Sequence, residues 1–187
     1  MILLMEEISE IKGYRELTFH LSVNIVDIYL AKVAKNGKSV PKIVTLGTVG
    51  ILLAAKLNEP CSPNFTNMVY LINARNPGEL VLSDLIELER QILTTLDFNL
   101  QSETSINFLE RFCQLYRFDE GLYRGEDMTV KAKFSKDVCA MGRYLCRCAL
   151  RFSTFLDFKP SQVAAACFTL ALNTVSHKSG LRLGILS

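Results

Sequence analysis

Apolar residues recur along this chain at steps of three and four, the period of a helix with one buried face; the two-residue alternation of a half-buried strand is not found. Ile2 to Ile11 is the first such stretch, amphipathic but poorly capped, and Lys12-Gly13-Tyr14 turns the chain. Glu16 to Val33 is the second, with Leu17, Leu21, Ile25, Ile28 and Tyr29 on one side. It stops at Lys35-Asn36-Gly37-Lys38, where glycine suits a left-handed cap. Pro41 opens the third, whose stripe is Ile43, Leu46, Gly50, Leu53, Ala54 and Leu57. Gly47, Gly50, Ala54 and Ala55 are small enough to let neighbouring helices come close, and Pro60 ends the stretch. Phe65 to Asn73 predicts a brief fourth helix, closed by Asn76-Pro77-Gly78. Ser83 to Leu96 predicts a fifth, with a capping signal at Ser83-Asp84, Glu87 three places on, and Leu85, Leu88 or Glu89, Ile92 and Leu96 as its stripe.

Asp97 to Ser102 is a short connector and the one natural boundary, dividing the chain into 1–100 and 101–187. Beyond it Thr104 caps a helix through Tyr116, with Ile106, Phe108-Leu109 and Phe112 inward. A loop rich in glycine and charge is expected over Asp119 to Met128. Val130 to Phe152 is a long helix, with Phe134, Val138, Met141, Leu145, Cys148 and Phe152 in register. After a turn at Leu156 to Lys159, Pro160 and Ser161 start an alanine-rich helix, Val163 to Val175, apolar enough to be surrounded on all sides. His177-Lys178-Ser179-Gly180 breaks it, and Leu181 to Ser187 trails off. The fold class is all-α, five helices followed by at least three.

Composition narrows the chemistry. The chain has 187 residues, 49% hydrophobic and 21% charged, enough for one core or two small ones. A net charge of +2 argues against nucleic acid; Lys131, Lys133 and Lys136 cluster, but Lys and Arg elsewhere are balanced by Asp and Glu. No run of eighteen apolar residues predicts a membrane span, and the apolar start at Met1 to Met5 is too short for a signal segment. An intracellular protein of the nucleus or cytoplasm is expected. Six cysteines without a Cys-x-x-Cys pair, and only His20 and His177, predict no metal site and no cofactor. In a reducing compartment those cysteines act as small buried hydrophobes. No nucleophile–base pair or phosphate-binding glycine loop appears, so an enzyme is not expected.

Two charged residues stand out on apolar helices, Lys56 near the end of the third and Glu89 in the fifth. From spacing alone, Lys56 is an end-of-helix lysine favoured by the dipole, and Glu89 an ordinary exposed residue. His20, beside Phe19, is a packing residue or a surface hydrogen-bonder.

Four segments change that reading. Leu17-Thr18-Phe19-His20-Leu21-Ser22-Val23-Asn24-Ile25-Val26-Asp27-Ile28-Tyr29-Leu30 resembles the second helix of a cyclin box. Leu46 to Glu59 resembles the third, with its Leu-Ala-Ala-Lys core. Glu87-Leu88-Glu89-Arg90-Gln91-Ile92-Leu93, followed by Leu96, Phe98 and Leu100, resembles the fifth. Lys159-Pro160-Ser161-Gln162-Val163-Ala164-Ala165-Ala166 resembles the third helix of a second box. Each is weak alone; four in order at the right spacing are specific. The resemblance to the cyclin family implies five helices per box, the third central, and a non-enzymatic partner of a cyclin-dependent kinase. Such a partner moves the kinase C-helix inward, completing the lysine–glutamate pair that phosphoryl transfer needs.

In the family, a lysine on the third helix and a glutamate on the fifth grip main-chain groups before that C-helix; here they map to Lys56 and Glu89. Lysine offers donors to carbonyls, and a carboxylate offers acceptors to amides. The resemblance places Leu53, Leu57, Leu93, Phe98 and Leu100 around them as an apolar groove. It also brings departures. The substrate-docking patch of many cyclins has an arginine, a tryptophan and a glutamine; the arginine position falls before Met1, Glu6 stands for the tryptophan and Val44 for the glutamine. That arginine usually pairs with an aspartate, here Asp27, leaving Asp27 to find another partner or remain solvated. The second box matches through its third helix only, so two helices are missing unless Leu181 to Ser187 starts the fourth. Phe168, Leu170 and Leu172 are then expected to lie exposed. The expected role is a kinase-activating subunit in a heterodimer. The competing roles are an assembly subunit of a larger complex without kinase activation, and a nucleic-acid-binding relative.

Overall fold

The computed structural model describes residues 1–37, 39–74, 77–118 and 128–179. The loop expected at Asp119 to Met128 and the tail at Leu181 to Ser187 lie, but for Met128, outside the described residues. Every regular element among the described residues is helical. The chain divides into two compact units, Met1–Ser102 and Glu103–Ser187.

The first unit holds α1 (Ile2–Lys12), α2 (Glu16–Lys35), α3 (Ile43–Asn58), α4 (Phe65–Asn73) and α5 (Leu82–Thr95). Helix α3 is its axis. Every residue from Thr45 to Ala55 is buried, so the helix has no solvent face through its middle, and α1, α2 and α5 pack around it. Gly50 is what lets α2 lie so close: a Cβ there would stand 2.5 Å from Val26 Cγ2 and 3.3 Å from the Ser22 carbonyl. By length and composition α2 could cross a bilayer, but Phe19, Val23, Ile25, Val26, Tyr29 and Val33 are buried within this unit. His20 is also fully buried, its ring edge-on to Phe19 at 5.9 Å.

Helix ends depart from expectation for local reasons. Pro41 precedes α3 by two residues, and Lys42 is the N-cap. Ser83 and Asp84 lie inside the first turn of α5 rather than capping it, since Val81 takes the extended N-cap conformation. Asp84 there favours the helix dipole. Glu87, freed from a capping role, accepts from Arg90 and Gln91 along the exposed face. Gly13 closes α1 at φ 65°, a left-handed cap open to glycine at little cost. The start of α2 is capped from afar: Glu59, just past α3, accepts from the Arg15 amide at 2.9 Å and from the Thr18 hydroxyl.

The second unit holds α6 (Ser105–Phe118), α7 (Met128–Ala149), a short 3-10 turn (Ser153–Asp157) and α8 (Pro160–Ser179). Thr104 and Asn107 bond reciprocally at the start of α6, the Thr104 amide and hydroxyl donating to Asn107 Oδ1 and the Asn107 amide to the Thr104 carbonyl. Its core gathers Tyr116, Phe134, Val138 and Ala171, with Met141, Leu145, Phe168, Leu172 and Val175 packed on it. Phe168 and Leu172 are therefore partly buried against that core rather than exposed; Phe168 sits edge-on to Tyr116 at 5.6 Å and tilted on Phe112. Leu170 does face solvent. Helix α8 runs through His177, Lys178 and Ser179, which were expected to break it.

Candidate functional site, a charged pair among apolar side chains

The end of α3, the start of α4 and the middle of α5 meet at one place in the first unit. Asn64 caps α4, its Oδ1 accepting from the amides of Thr66 (2.8 Å) and Asn67 (3.3 Å), which fixes Phe65 at the first helical position. Asn73 holds the other end of α4 to the start of α5 by a two-way amide exchange with Leu80, at 2.8 and 2.9 Å. Against this frame Lys56 Nζ lies 4.5 Å above the Phe65 ring and donates to Glu89 Oε1 at 2.6 Å. The two side chains are 35% and 17% exposed, so the pair is half sunk in an apolar setting and still reaches solvent. The ring beneath the ammonium adds a cation–π contact. Among the described residues, Glu89 Oε2 has no partner. A lysine with remaining N–H donors and a carboxylate with an unused oxygen are thus presented together, a donor and an acceptor a few ångströms apart.

Of the five apolar residues expected around the pair, three can face a partner and two cannot. Leu57 is 43% exposed, Phe98 is 71% exposed, and Leu93 is half-buried one turn beyond Glu89 on α5. Leu53 (3% exposed) and Leu100 (8%) are corrections. Leu53 falls in the stretch of α3 that is buried on all sides, and Leu100 is folded into the same core.

Phe98 is held out by its backbone. Asp97 and Phe98 take φ of 52° and 57°, and the Phe98 amide closes the end of α5 by donating to the Leu93 carbonyl at 2.9 Å. Lys32 of α2 steadies the same turn, donating to the Thr95 carbonyl at 2.8 Å with Asp97 beside it at 3.6 Å. Two consecutive non-glycine residues in the left-handed region cost about 1–2 kcal/mol each, and an exposed phenyl ring gains nothing there for the fold itself.

Two residues of the same face went unmarked in the sequence. Leu82 and Ile86 are exposed and precede Glu89 and Leu93 at steps of four, three and four, so α5 carries a second apolar stripe beside the buried Leu85, Leu88 and Ile92. That stripe was visible in the spacing. The Lys56–Phe65 contact was not, because it depends on how α4 is set against α3.

A separate hollow of about 340 Å³ lies between α1, α3 and α4, lined by Leu4, Ile8, Ile11, Ile43, Val44 and Ile72. Glu7, one residue on from the Glu6 expected at the tryptophan position, and Glu79 also line it. Asp27 is half-buried with no partner among the described residues, and burial pushes its carboxyl up to about 6. No three potential ligands converge as a metal site among the described residues.

Family models match nearly the whole chain: the cyclin N-terminal domain over residues 1–101 and the cyclin C-terminal domain over residues 104–182. The G2/mitotic-specific cyclin-B of Dictyostelium discoideum is 32% identical over 163 residues, which cover 87% of this chain and 32% of that protein. The G2/mitotic-specific cyclin-B3 of Mus musculus is 28% identical over 173 residues, 91% of this chain and 11% of the relative. The chain thus spans a third or less of the length of these two relatives. A viral cyclin from herpesvirus saimiri shares the fold at a TM-score of 0.67 and 18% identity, with 98% of this chain and 71% of that one covered. With both family domains matched in order and the helical architecture shared, the chain belongs to the cyclin family.

Proposed function

We propose that this chain is the regulatory subunit of a cyclin-dependent protein kinase and activates it without chemistry of its own. Docking falls to the first box, residues 1–100, and the second, 101–187, extends the subunit. Lys56 and Glu89 grip the main chain ahead of the kinase C-helix, the ammonium taking carbonyl oxygens and the carboxylate taking amides. Leu57, Leu93 and Phe98, with Ile86 and Leu82 added, receive the apolar face of that helix. The observation that carries this reading is the Lys56–Glu89 pair, half-buried on Phe65 and flanked by apolar side chains exposed beyond what the fold needs.

The magnitudes are sufficient. Charge-assisted hydrogen bonds shielded from water contribute about 1.5–3 kcal/mol each, so two make roughly 3–6 kcal/mol. Moving a kinase from one part active in a hundred to ninety-nine takes about 5.5 kcal/mol of differential binding. The charged pair supplies much of that, and apolar burial supplies the remainder. Within the free chain, by contrast, the partly exposed Lys56–Glu89 bond is worth only about 1 kcal/mol or less, so it yields readily to a partner.

The test is recovery of native complexes with the wild-type chain and with Lys56→Ala/Glu89→Ala. The reading expects a protein kinase, active on a generic substrate, with the wild type alone. Recovery of a non-kinase assembly that tolerates both substitutions would assign the chain to a scaffolding role instead.

A further inference from the structure

The second unit brings cysteines together in a way the docking reading does not use. Helices α7 and α8 are joined by only ten residues, 150–159, and residues early in α7 (Phe134, Val138) share a core with residues late in α8 (Ala171, Val175). The two helices therefore run antiparallel, as a hairpin. Going toward the bend from that cluster, the buried Ala149 and Ala164 mark its closed end. Cys146 and Cys167 lie between, each three residues from its alanine and so on the same inward face. Each thiol bears first on the other's ionisation, as neighbours across the hairpin do. Cys146 is fully buried and Cys167 half-buried.

We propose that Cys146 and Cys167 form a peroxide-sensitive thiol pair, and that its oxidation to a disulfide staples α7 to α8. The asymmetry of the pair sets the roles. The Cys146 S–H donates to the Cys167 sulfur, and together with burial this pushes the Cys146 thiol up. The same bond holds the Cys167 thiol below its ordinary value, against the opposing effect of burial. Cys167, half-buried where Cys146 is fully buried, is the more accessible sulfur and so the one that peroxide meets first. Its thiolate attacks one oxygen of hydrogen peroxide; the O–O bond breaks, hydroxide leaves, and the Cys167 sulfur is oxidised to a sulfenic acid. The Cys146 sulfur then attacks that sulfur, the S–S bond forms and the S–O bond breaks. The departing hydroxyl leaves as water with the thiol proton. In sum two thiols and one peroxide give one disulfide and two waters.

Geometry favours this pairing over the others. Cys61 is exposed but belongs to the first unit, and Cys148, on α7 two residues past Cys146, lies beside Tyr144. Cys113 of α6 is buried near Cys146 and is the competing partner.

The test uses the full chain, fully reduced, then treated with hydrogen peroxide and digested without reductant for mass spectrometry. The expected result is a Cys146–Cys167 cross-linked peptide as the dominant product, with two hydrogens lost from the intact mass. The same product is expected in Cys61→Ser, and the mass change should reverse with dithiothreitol. Before oxidation, maleimide should label Cys167 at least about tenfold faster than Cys146, following thiolate fraction and access. In Cys146→Ala, dimedone should trap the Cys167 sulfenic acid, because nothing resolves it. The proposal is overturned if peroxide leaves Cys146 and Cys167 unlinked while oxidising Cys61, if the dominant cross-link is Cys113–Cys146, or if Cys167 proceeds to sulfinic acid in the wild type. Mapping on the wild-type chain decides the matter even if the alanine variant fails to fold.

Discussion

Replacing Gly50 by alanine should destabilise the first unit even though alanine is the better helix former. On propensity alone the change gains about 1 kcal/mol in a helix interior. Here the new methyl would stand 2.5 Å from Val26 Cγ2, 3.3 Å from the Ser22 carbonyl and 3.5 Å from Met5 Cε. Met5 can bend away, but Val26 cannot: it is fully buried on α2, and a β-branched side chain in a helix has essentially one χ1 well. The helices must therefore separate or strain, at a cost of about 1–3 kcal/mol. The net expectation, propensity subtracted, is a loss of up to about 2 kcal/mol. Val26→Ala alone removes two buried methyl groups and leaves a void, a loss of about 2 kcal/mol. In the double variant each change makes room for the other, so the losses should fall short of their sum by about 1–2 kcal/mol. Urea unfolding followed by far-UV circular dichroism measures all three against the wild type at equal m-values. A stabilised Gly50→Ala, or strict additivity in the double variant, would refute the claim that α2 and α3 touch through this glycine.

Three further outcomes are expected. Asp27→Asn should stabilise the chain at neutral pH by about 1–2 kcal/mol, the full shift being discounted for partial exposure. Its raised folded-state value, from 3.8 to about 6, means its contribution to stability is fully present below 3.8 and lost as pH rises through about 6. The advantage of the asparagine variant should accordingly vanish in acid, and a pH series of urea midpoints checks it. Glu59→Gln should cost about 1–2 kcal/mol by weakening the remote cap on α2. It should also lower the Tyr14 hydroxyl, which burial first and the Glu59 charge second hold up, as read by ultraviolet titration. Phe98→Gly should leave stability within about 1 kcal/mol of wild type, since relief of a left-handed residue offsets glycine's entropy. It should nevertheless weaken kinase binding at least about tenfold, measured by calorimetry, if the exposed ring is an anchor.

Much of the architecture could be seen in the periodicity, because amphipathic helices announce their buried faces. Helix α4 falls at Phe65–Asn73, where the turn residues bracket it, and α5 shifts by one residue at each end. What escaped the sequence was tertiary. Leu53 was placed in the groove by likeness to the family although it lies on the apolar stripe of α3, and the packing around that helix keeps it in the core. Leu100 was placed by likeness to a motif, and only packing reveals that it turns inward. Lys56 and Glu89 drew notice as charges on apolar helices, but thirty-three residues of chain separate them, and no local rule says that they meet. The Glu59 cap on α2, across forty-four residues, is of the same kind. Ser83 looked like a cap by type, yet Val81 took the position because backbone conformation decides it. The partnership of Cys146 and Cys167 required knowing that α7 and α8 fold back on each other.

The central claim is that Lys56 and Glu89 are a donor and an acceptor turned toward a kinase, rather than a bond the fold keeps for itself. The exchange Lys56→Glu/Glu89→Lys tests it most directly, because it preserves an ion pair between α3 and α5 while inverting what each position offers a partner. The account predicts a urea midpoint lowered only slightly, by loss of a Lys56–Phe65 cation–π contact worth about 0.5–1 kcal/mol, together with loss of kinase binding and activation. A swapped variant that binds and activates as the wild type does would contradict it, and would make the pair a structural tie.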